Sequence, residues 1–149
     1  MTLNIHSDEH YMREALKEAK RGYEAGEIPV GAIIVSQHKI IARAHNQTEQ
    51  LTDVTAHAEM IAITAASHYL GGKYLSDCTL YVTLEPCMMC IGALYWAQIG
   101  RIVFGASDNK RGFELVKDFK VHPKTQLQRG VLANESEVLL KEFFQKLRK

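Results

Sequence analysis

The chain has 149 residues, 46% of them hydrophobic and 23% charged, with a formal net charge of +1. That length supplies one good core and is short for two, and the near-neutral balance excludes a molecule that binds nucleic acid through its overall field. No apolar run approaches the ~20 residues that cross a bilayer, the polar opening has no signal-peptide core, and three cysteines give no disulfide framework, so a single cytoplasmic domain over residues 1–149 is expected.

In chain order, Ser7 or Asp8 caps a first helix, on which Tyr11, Met12, Ala15, Leu16 and Ala19 make an apolar stripe at three-to-four-residue spacing and which Gly26 ends. The runs IPVGAIIVS (28–36) and KIIARAH (39–45) are β-rich and join around Gln37-His38-Lys39, predicting an antiparallel pair. Thr55 is placed to cap a helix over residues 56–70. A strand, TLYVTLE (79–85), follows. Pro86 suits the first turn of the next helix, because its fixed φ is already helical and its missing N–H costs nothing there. RIVFGA (101–106) reads as a strand, a polar irregular stretch follows, and ESEVLLKEFFQKLRK (135–149) closes the chain as an amphipathic helix. Strand-helix-strand succession favours parallel pairing in a sheet covered by helices. Repeats, low-complexity tracts and linkers are absent.

The chemistry concentrates in His57-Ala58-Glu59 and Pro86-Cys87-Met88-Met89-Cys90. Zinc takes imidazole nitrogen and thiolate sulfur in tetrahedral sites, and three protein ligands leave the fourth position open for water. His57, Cys87 and Cys90 therefore give a catalytic count, since a closed structural site needs a fourth Cys or His. The metal brings the pKa of its water to roughly 7, and Glu59, two residues from the ligand, can manage the proton. Both motifs fall at helix starts, where the positive end of the dipole favours thiolate. Cys-x-x-Cys alone also fits a redox pair or half of a structural zinc knuckle, and a lone His is more often packed than ligating. The conjunction at two successive helix starts, separated by a strand, selects the metal site. Cys78, left over, begins an apolar strand and reads as buried filler.

The spacing H-x-E…P-C-x-x-C resembles the signature of zinc deaminases of nucleobases. With PVGAIIV (29–35), His45-Asn46, TLYVTLEPC, RIVFGASDNKRG (101–112) and GVLANESEVLLKEFF, the chain from about Tyr11 to Arg148 resembles the cytidine deaminase-like superfamily, and within it the bacterial tRNA adenosine deaminases. That resemblance implies a three-layer α/β/α fold with a central mixed sheet of about five strands and helices on both faces. It implies one zinc ion per subunit on His57, Cys87 and Cys90, with Glu59 as proton shuttle. It also implies substrate binding by Asn46 and Asp108 and by backbone groups at Ala58 and Pro86, and a homodimer acting on the anticodon loop. Two segments depart from the family's pattern: after DNKRG the family continues with small residues of GAAGS type and later an Asn-His pair, where this chain reads FELVKDF and KTQLQRG. They fall on the RNA side of the expected site. Tyr95-Trp96-Ala97 is similar to guanine deaminases of the same superfamily, although core or dimer contact is the simpler role for both aromatics.

The implied reaction is hydrolytic. Glu59 takes a proton from the zinc-bound water and gives it to the ring nitrogen, hydroxide attacks the amino-bearing carbon, C6 of adenine, and ammonia leaves as adenosine becomes inosine. An RNA substrate must present its base splayed from a loop, with phosphates on basic side chains. Residues 1–100 carry 7 Lys/Arg against 11 Asp/Glu and residues 101–149 carry 11 against 6, so the basic end of the chain supplies the candidates. These are Lys110, Arg111, Lys146, Arg148 and Lys149, with Phe144 or Phe143 as a stacking surface; helical geometry puts one of the two phenylalanines in the core. His6, His10, His38, His45, His68 and His122 lack ligand-like neighbours, and only His45 falls near the expected pocket. Two alternatives stand beside the tRNA reading: a deaminase of a free base or nucleoside such as guanine or cytosine, and a non-enzymatic zinc-stabilised binding module.

Overall fold

A computed structural model describes residues 4–148. Helix α1 (Asp8–Glu24) is capped by Ser7, whose side chain accepts the His10 N–H at 3.1 Å. Strands β1 (Gly31–Ser36) and β2 (Lys39–His45) form the expected antiparallel hairpin. Its two-residue turn puts Gln37 and His38 at φ 50° and 64°, the left-handed geometry that matches the natural twist of paired strands. Helix α2 (Ala58–Leu70), strand β3 (Cys78–Leu84), helix α3 (Met88–Trp96) and strand β4 (Arg101–Ala106) follow. The stretch read from sequence as irregular contains a 3₁₀ turn at Phe113–Leu115 and a short strand β5 (Gln126–Gln128) before helix α4 (Ala133–Leu147).

The sheet order is β2-β1-β3-β4-β5, with β1 antiparallel to both neighbours and β3, β4 and β5 mutually parallel. This is the five-stranded mixed sheet expected, with helices on both faces. On one face α2 and α3 bury Ala58, Ala62, Ala66, Ile91 and Leu94 against Ile34, Leu80, Val82 and Phe104. The other face holds α1, through Tyr11, Met12 and Ala15, against Ile33, Tyr81 and Val103, and Phe143 of α4 stacks edge-on against Tyr23 of α1. Three alanines one helical turn apart let α2 approach the sheet closely.

This topology fixes the location of the site. Because β1 is antiparallel to both β2 and β3, the strands β2, β3 and β4 all point the same way, and their carboxyl ends share one edge of the sheet. His45-Asn46, Glu85-Pro86-Cys87 and Asp108 leave the sheet at that edge, where open α/β sheets place their ligands. Gly31 marks the start of β1 there: a Cβ on it would strike the carbonyl of Ala15, so α1 rests directly on the strand backbone.

Candidate metal centre

Two helix starts build the site, each later in the chain than its sequence expectation. The N-cap of α2 is His57, not Thr55, whose backbone N–H and hydroxyl both donate to Asp53 Oδ1 at 2.8 and 2.7 Å. The N-cap of α3 is Cys87, and Pro86 lies outside the helix, its carbonyl accepting the Phe113 N–H at 3.0 Å. Neither side chain makes a capping hydrogen bond. Both turn instead toward each other, which a serine or threonine cap would not do. Helix α3 ends at Trp96, with Gln98 at φ 54° just beyond it.

His57 Nδ1 lies 3.6 Å from Cys87 Sγ and 3.5 Å from Cys90 Sγ, and the three donor atoms fall within 4.8 Å of one another. Bond lengths of about 2.05 Å to nitrogen and 2.3 Å to sulfur at a tetrahedral angle require N···S edges of about 3.6 Å. One imidazole and two thiolates at that spacing fit zinc, with the fourth position left to a small ligand. The charges agree. A hydrogen bond with Cys90, with His57 adding to it, holds the Cys87 thiol down at about 4; the same bond, with burial, pushes Cys90 upward. A bound zinc ion would take both as thiolates. The hydrogen bond with Cys87 raises His57, and the positive charge of Arg111 opposes it.

Glu59 stands in the first turn of α2 and is 4% exposed. Burial pushes its carboxyl up to about 7, the range in which a group both takes and gives protons at neutral pH. Asn46 ties the end of β2 to the start of α2: its Oδ1 accepts the Ala58 N–H at 2.8 Å and its Nδ2 donates to the Ile28 carbonyl at 3.2 Å. The Ala58 N–H and the Pro86 carbonyl thus each make one hydrogen bond within the protein, while among the described residues Asn46 uses only one N–H and one lone pair of its amide.

Beside Cys87 opens a cleft of about 380 Å³ with Met88, Met89, Leu115 and Val116 as its apolar lining and Lys110 and Arg111 at its rim. Asp108 Oδ1 accepts the N–H groups of both basic residues at 3.0 Å. The remaining candidates stand elsewhere. Phe144 and Arg148 are exposed on α4, which packs with α1 on the sheet face opposite α2 and α3; Phe143 is the buried member of its pair, and Lys146 lies over the Tyr23 ring. Lys149 is outside the described residues. His45 Nδ1 is 2.8 Å from the Asn46 carbonyl, and Cys78 is buried.

Among the buried carboxylates that escaped the sequence reading, Glu27 and Glu85 fix loops beside the site. Glu27 accepts the N–H groups of Glu49 and Gln50 at 3.0 and 2.8 Å, fixing the loop between β2 and α2. Glu85 accepts those of Asp108 and Glu114 at 3.0 and 2.9 Å, fixing the loop after β4. The available signal was an acidic residue ending an otherwise apolar strand, LYVTLE.

The profile of the cytidine and deoxycytidylate deaminase zinc-binding region matches residues 5–106. A tRNA-specific adenosine deaminase of Aquifex aeolicus is 48% identical over 145 residues, covering 94% of this chain and 95% of its own length. A solved structure from work on A-to-I editing by tRNA:A34 deaminases at the wobble position superposes with a TM-score of 0.80 at 40% identity, covering 88% of this chain and 99% of the other. The guanine deaminase of Bacillus subtilis aligns at 42% identity and a TM-score of 0.65, but over 68% of this chain and 65% of its own.

Proposed function

The chain belongs to the cytidine and deoxycytidylate deaminase zinc-binding family, and from that premise we propose that it deaminates adenosine to inosine at the wobble position of a tRNA anticodon. One observation carries the chemistry: three soft donors sit at the edges of a zinc tetrahedron with a buried carboxylate two residues away on the same helix. Near-full-length similarity to tRNA-specific adenosine deaminases supports the substrate.

His57 Nδ1, Cys87 Sγ and Cys90 Sγ would hold the zinc ion, which when bound would supply a Lewis acid that makes a water molecule nucleophilic at neutral pH. Glu59 accepts the proton of the attacking water and delivers it to N1 of the adenine ring as C6 becomes tetrahedral. It then carries the proton of the new C6 hydroxyl to the departing amine. The C6–N bond breaks, ammonia leaves, and the new C6–O bond becomes the carbonyl of inosine. Asn46 orients the nucleoside with its remaining N–H and lone pair, beside backbone groups at Ala58 and Pro86. Asp108, Lys110 and Arg111 meet the RNA backbone at the cleft, and Phe144 and Arg148 extend the footprint on α4.

We take the chain as a single deaminase domain over residues 1–149 and as a cytoplasmic homodimer. None of the helices among the described residues is long and apolar enough to cross a membrane. Helix α3 exposes Met88, Tyr95 and Trp96, the last 80% exposed, an apolar edge suited to a second copy.

The test is ammonia release from an adenosine-containing anticodon stem-loop and, separately, from guanine, cytosine, adenosine and cytidine. Inosine in the stem-loop alone is expected. Glu59→Ala should retain zinc and lose at least about 10²–10⁴-fold in rate, the usual contribution of a positioned acid–base group. Turnover of a free base with the stem-loop untouched would move the assignment to small-molecule metabolism. Function unchanged in Glu59→Ala would leave only a zinc-stabilised binding module.

A further inference from the structure

Glu85 is 4% exposed and has no part in the proton transfers above. Its carboxylate nevertheless organises the loop that directly follows β4. Oε1 accepts the Asp108 N–H and Oε2 the Glu114 N–H, so a single side chain closes both ends of the segment 108–114. The Glu85 N–H donates to the Ala106 carbonyl at 2.8 Å, the Phe113 N–H donates to Pro86, and Cys87 pairs with Gly112 in an isolated antiparallel bridge. The metal-bearing segment 85–87 and the basic loop are thus laced together along their length.

Gly112 shows how close that lacing is. With φ −65° and ψ 147° its backbone admits any residue, yet a Cβ there would land on the Glu85 carboxylate. The glycine serves carboxylate approach, not backbone freedom. From the carboxylate the order passes outward: Asp108, held by Glu85, accepts the N–H groups of Lys110 and Arg111 through its own side chain, and its carbonyl accepts the Gly112 N–H at 3.1 Å.

We propose that Glu85 is a positioning residue for substrate recognition, setting the register of the 108–114 loop against Cys87 so that Lys110 and Arg111 grip the phosphates flanking the edited nucleotide. The proposal rests on the RNA reading. A carboxylate placed this way couples the distance between scissile amine and metal to the distance between phosphate and rim, so recognition and chemistry share one frame of reference.

Glu85→Gln keeps the size of the side chain but turns one acceptor into a donor facing an N–H. Zinc content and circular dichroism should match the wild type, kcat should stay within about threefold, and KM for the stem-loop should rise about tenfold, near 1.4 kcal/mol. The slope of log KM against log salt should fall by about 1 to 2, the counterion signature of one or two lost phosphate contacts. Lys110→Ala with Arg111→Ala should give the same slope and add little in the Glu85→Gln background. Gly112→Ala reaches the contact from the loop side without touching the metal segment and should reproduce the phenotype; in a Glu85→Ala background, where the carboxylate is gone, it should cost nothing further. If Glu85→Gln is insoluble, Gly112→Ala carries the test. An unchanged KM and salt slope, or a fall in zinc and kcat with KM and slope intact, overturns the proposal and leaves Glu85 a brace of the metal segment. A wild type that ignores the stem-loop while deaminating a free base overturns the RNA reading first, and this inference with it.

Discussion

Asn46→Ala tests the join between sheet and metal helix. In the protein the amide bridges the Ile28 carbonyl and the N–H of Ala58, the residue after the ligand His57, and Ala58 is fully buried. Since His57 turns its side chain away from the helix, Asn46 does from across the loop what a cap residue does locally. Truncation leaves one buried N–H without a partner, which costs about 1–3 kcal/mol, and removes a second hydrogen bond worth about 1 kcal/mol. A total of about 2–4 kcal/mol lowers the melting temperature by roughly 4–16 °C for a chain of this size. Urea and thermal denaturation of zinc-loaded and chelated protein measure it, with turnover followed in parallel. Asn46→Asp separates two roles: it keeps the acceptor for Ala58, at a helix start that welcomes negative charge, but sets a carboxylate against the Ile28 carbonyl. Asp should therefore recover part of the lost stability. An alanine variant within 0.5 kcal/mol of wild type, or an aspartate no better than alanine, would refute the capping argument.

Three further outcomes follow from other contacts. Hydrogen bonds from Arg101, with help from the Tyr81 hydroxyl, hold the Asp8 carboxyl below its ordinary value, so its contribution is present above the unfolded value near 3.9 and is lost as pH falls through the lower folded one; Asp8→Asn should destabilise by about 1–2 kcal/mol at pH 7 and flatten this acid limb, read by melting temperature against pH. Among the described residues Ser136 Oγ is buried without a hydrogen-bond partner, so Ser136→Ala should stabilise by about 1 kcal/mol, visible as a higher urea midpoint at unchanged slope. Cys78 is buried and its thiol is pushed up by burial, whereas Cys87 is only half-buried and held low; iodoacetamide at pH 7 should label Cys87 after chelation, nothing in the zinc-loaded protein, and Cys78 only on unfolding, as mass spectrometry of the peptides would show.

Residues 39–45 and 101–106 form strands over the whole span their β-rich patterns indicate, because β-branched and apolar residues there face cores on the sheet's two sides. The metal cluster was equally legible, since Cys-x-x-Cys and His-x-Glu are short-range patterns. The helix starts were not. Propensity favours Thr55 as a cap and Pro86 inside a first turn, but propensity describes helices whose first residues have no other task, and here His57 and Cys87 take the cap positions while their side chains serve the cluster. Strand β5 has the pattern exposed, half-buried, exposed, with Leu127 alone turned inward, so its identity comes from pairing with β4 and not from its own residues. Glu27 and Glu85 act on backbone N–H groups more than twenty residues away, and no local pattern encodes a partner that is not a side chain.

His57 and the two cysteines lie on opposite sides of β3 in the chain, and β3 is the central strand of the sheet. Before that strand is inserted, the nascent polypeptide offers a cation only fragments: an isolated imidazole, or a pair of thiols one helical turn apart. Full affinity waits on the longest-range pairings, the slow part of assembly for a topology of this kind. Metal uptake is therefore a late event coupled to completion of the sheet, and a cell's pool of loaded protein is, by construction, its pool of correctly folded protein.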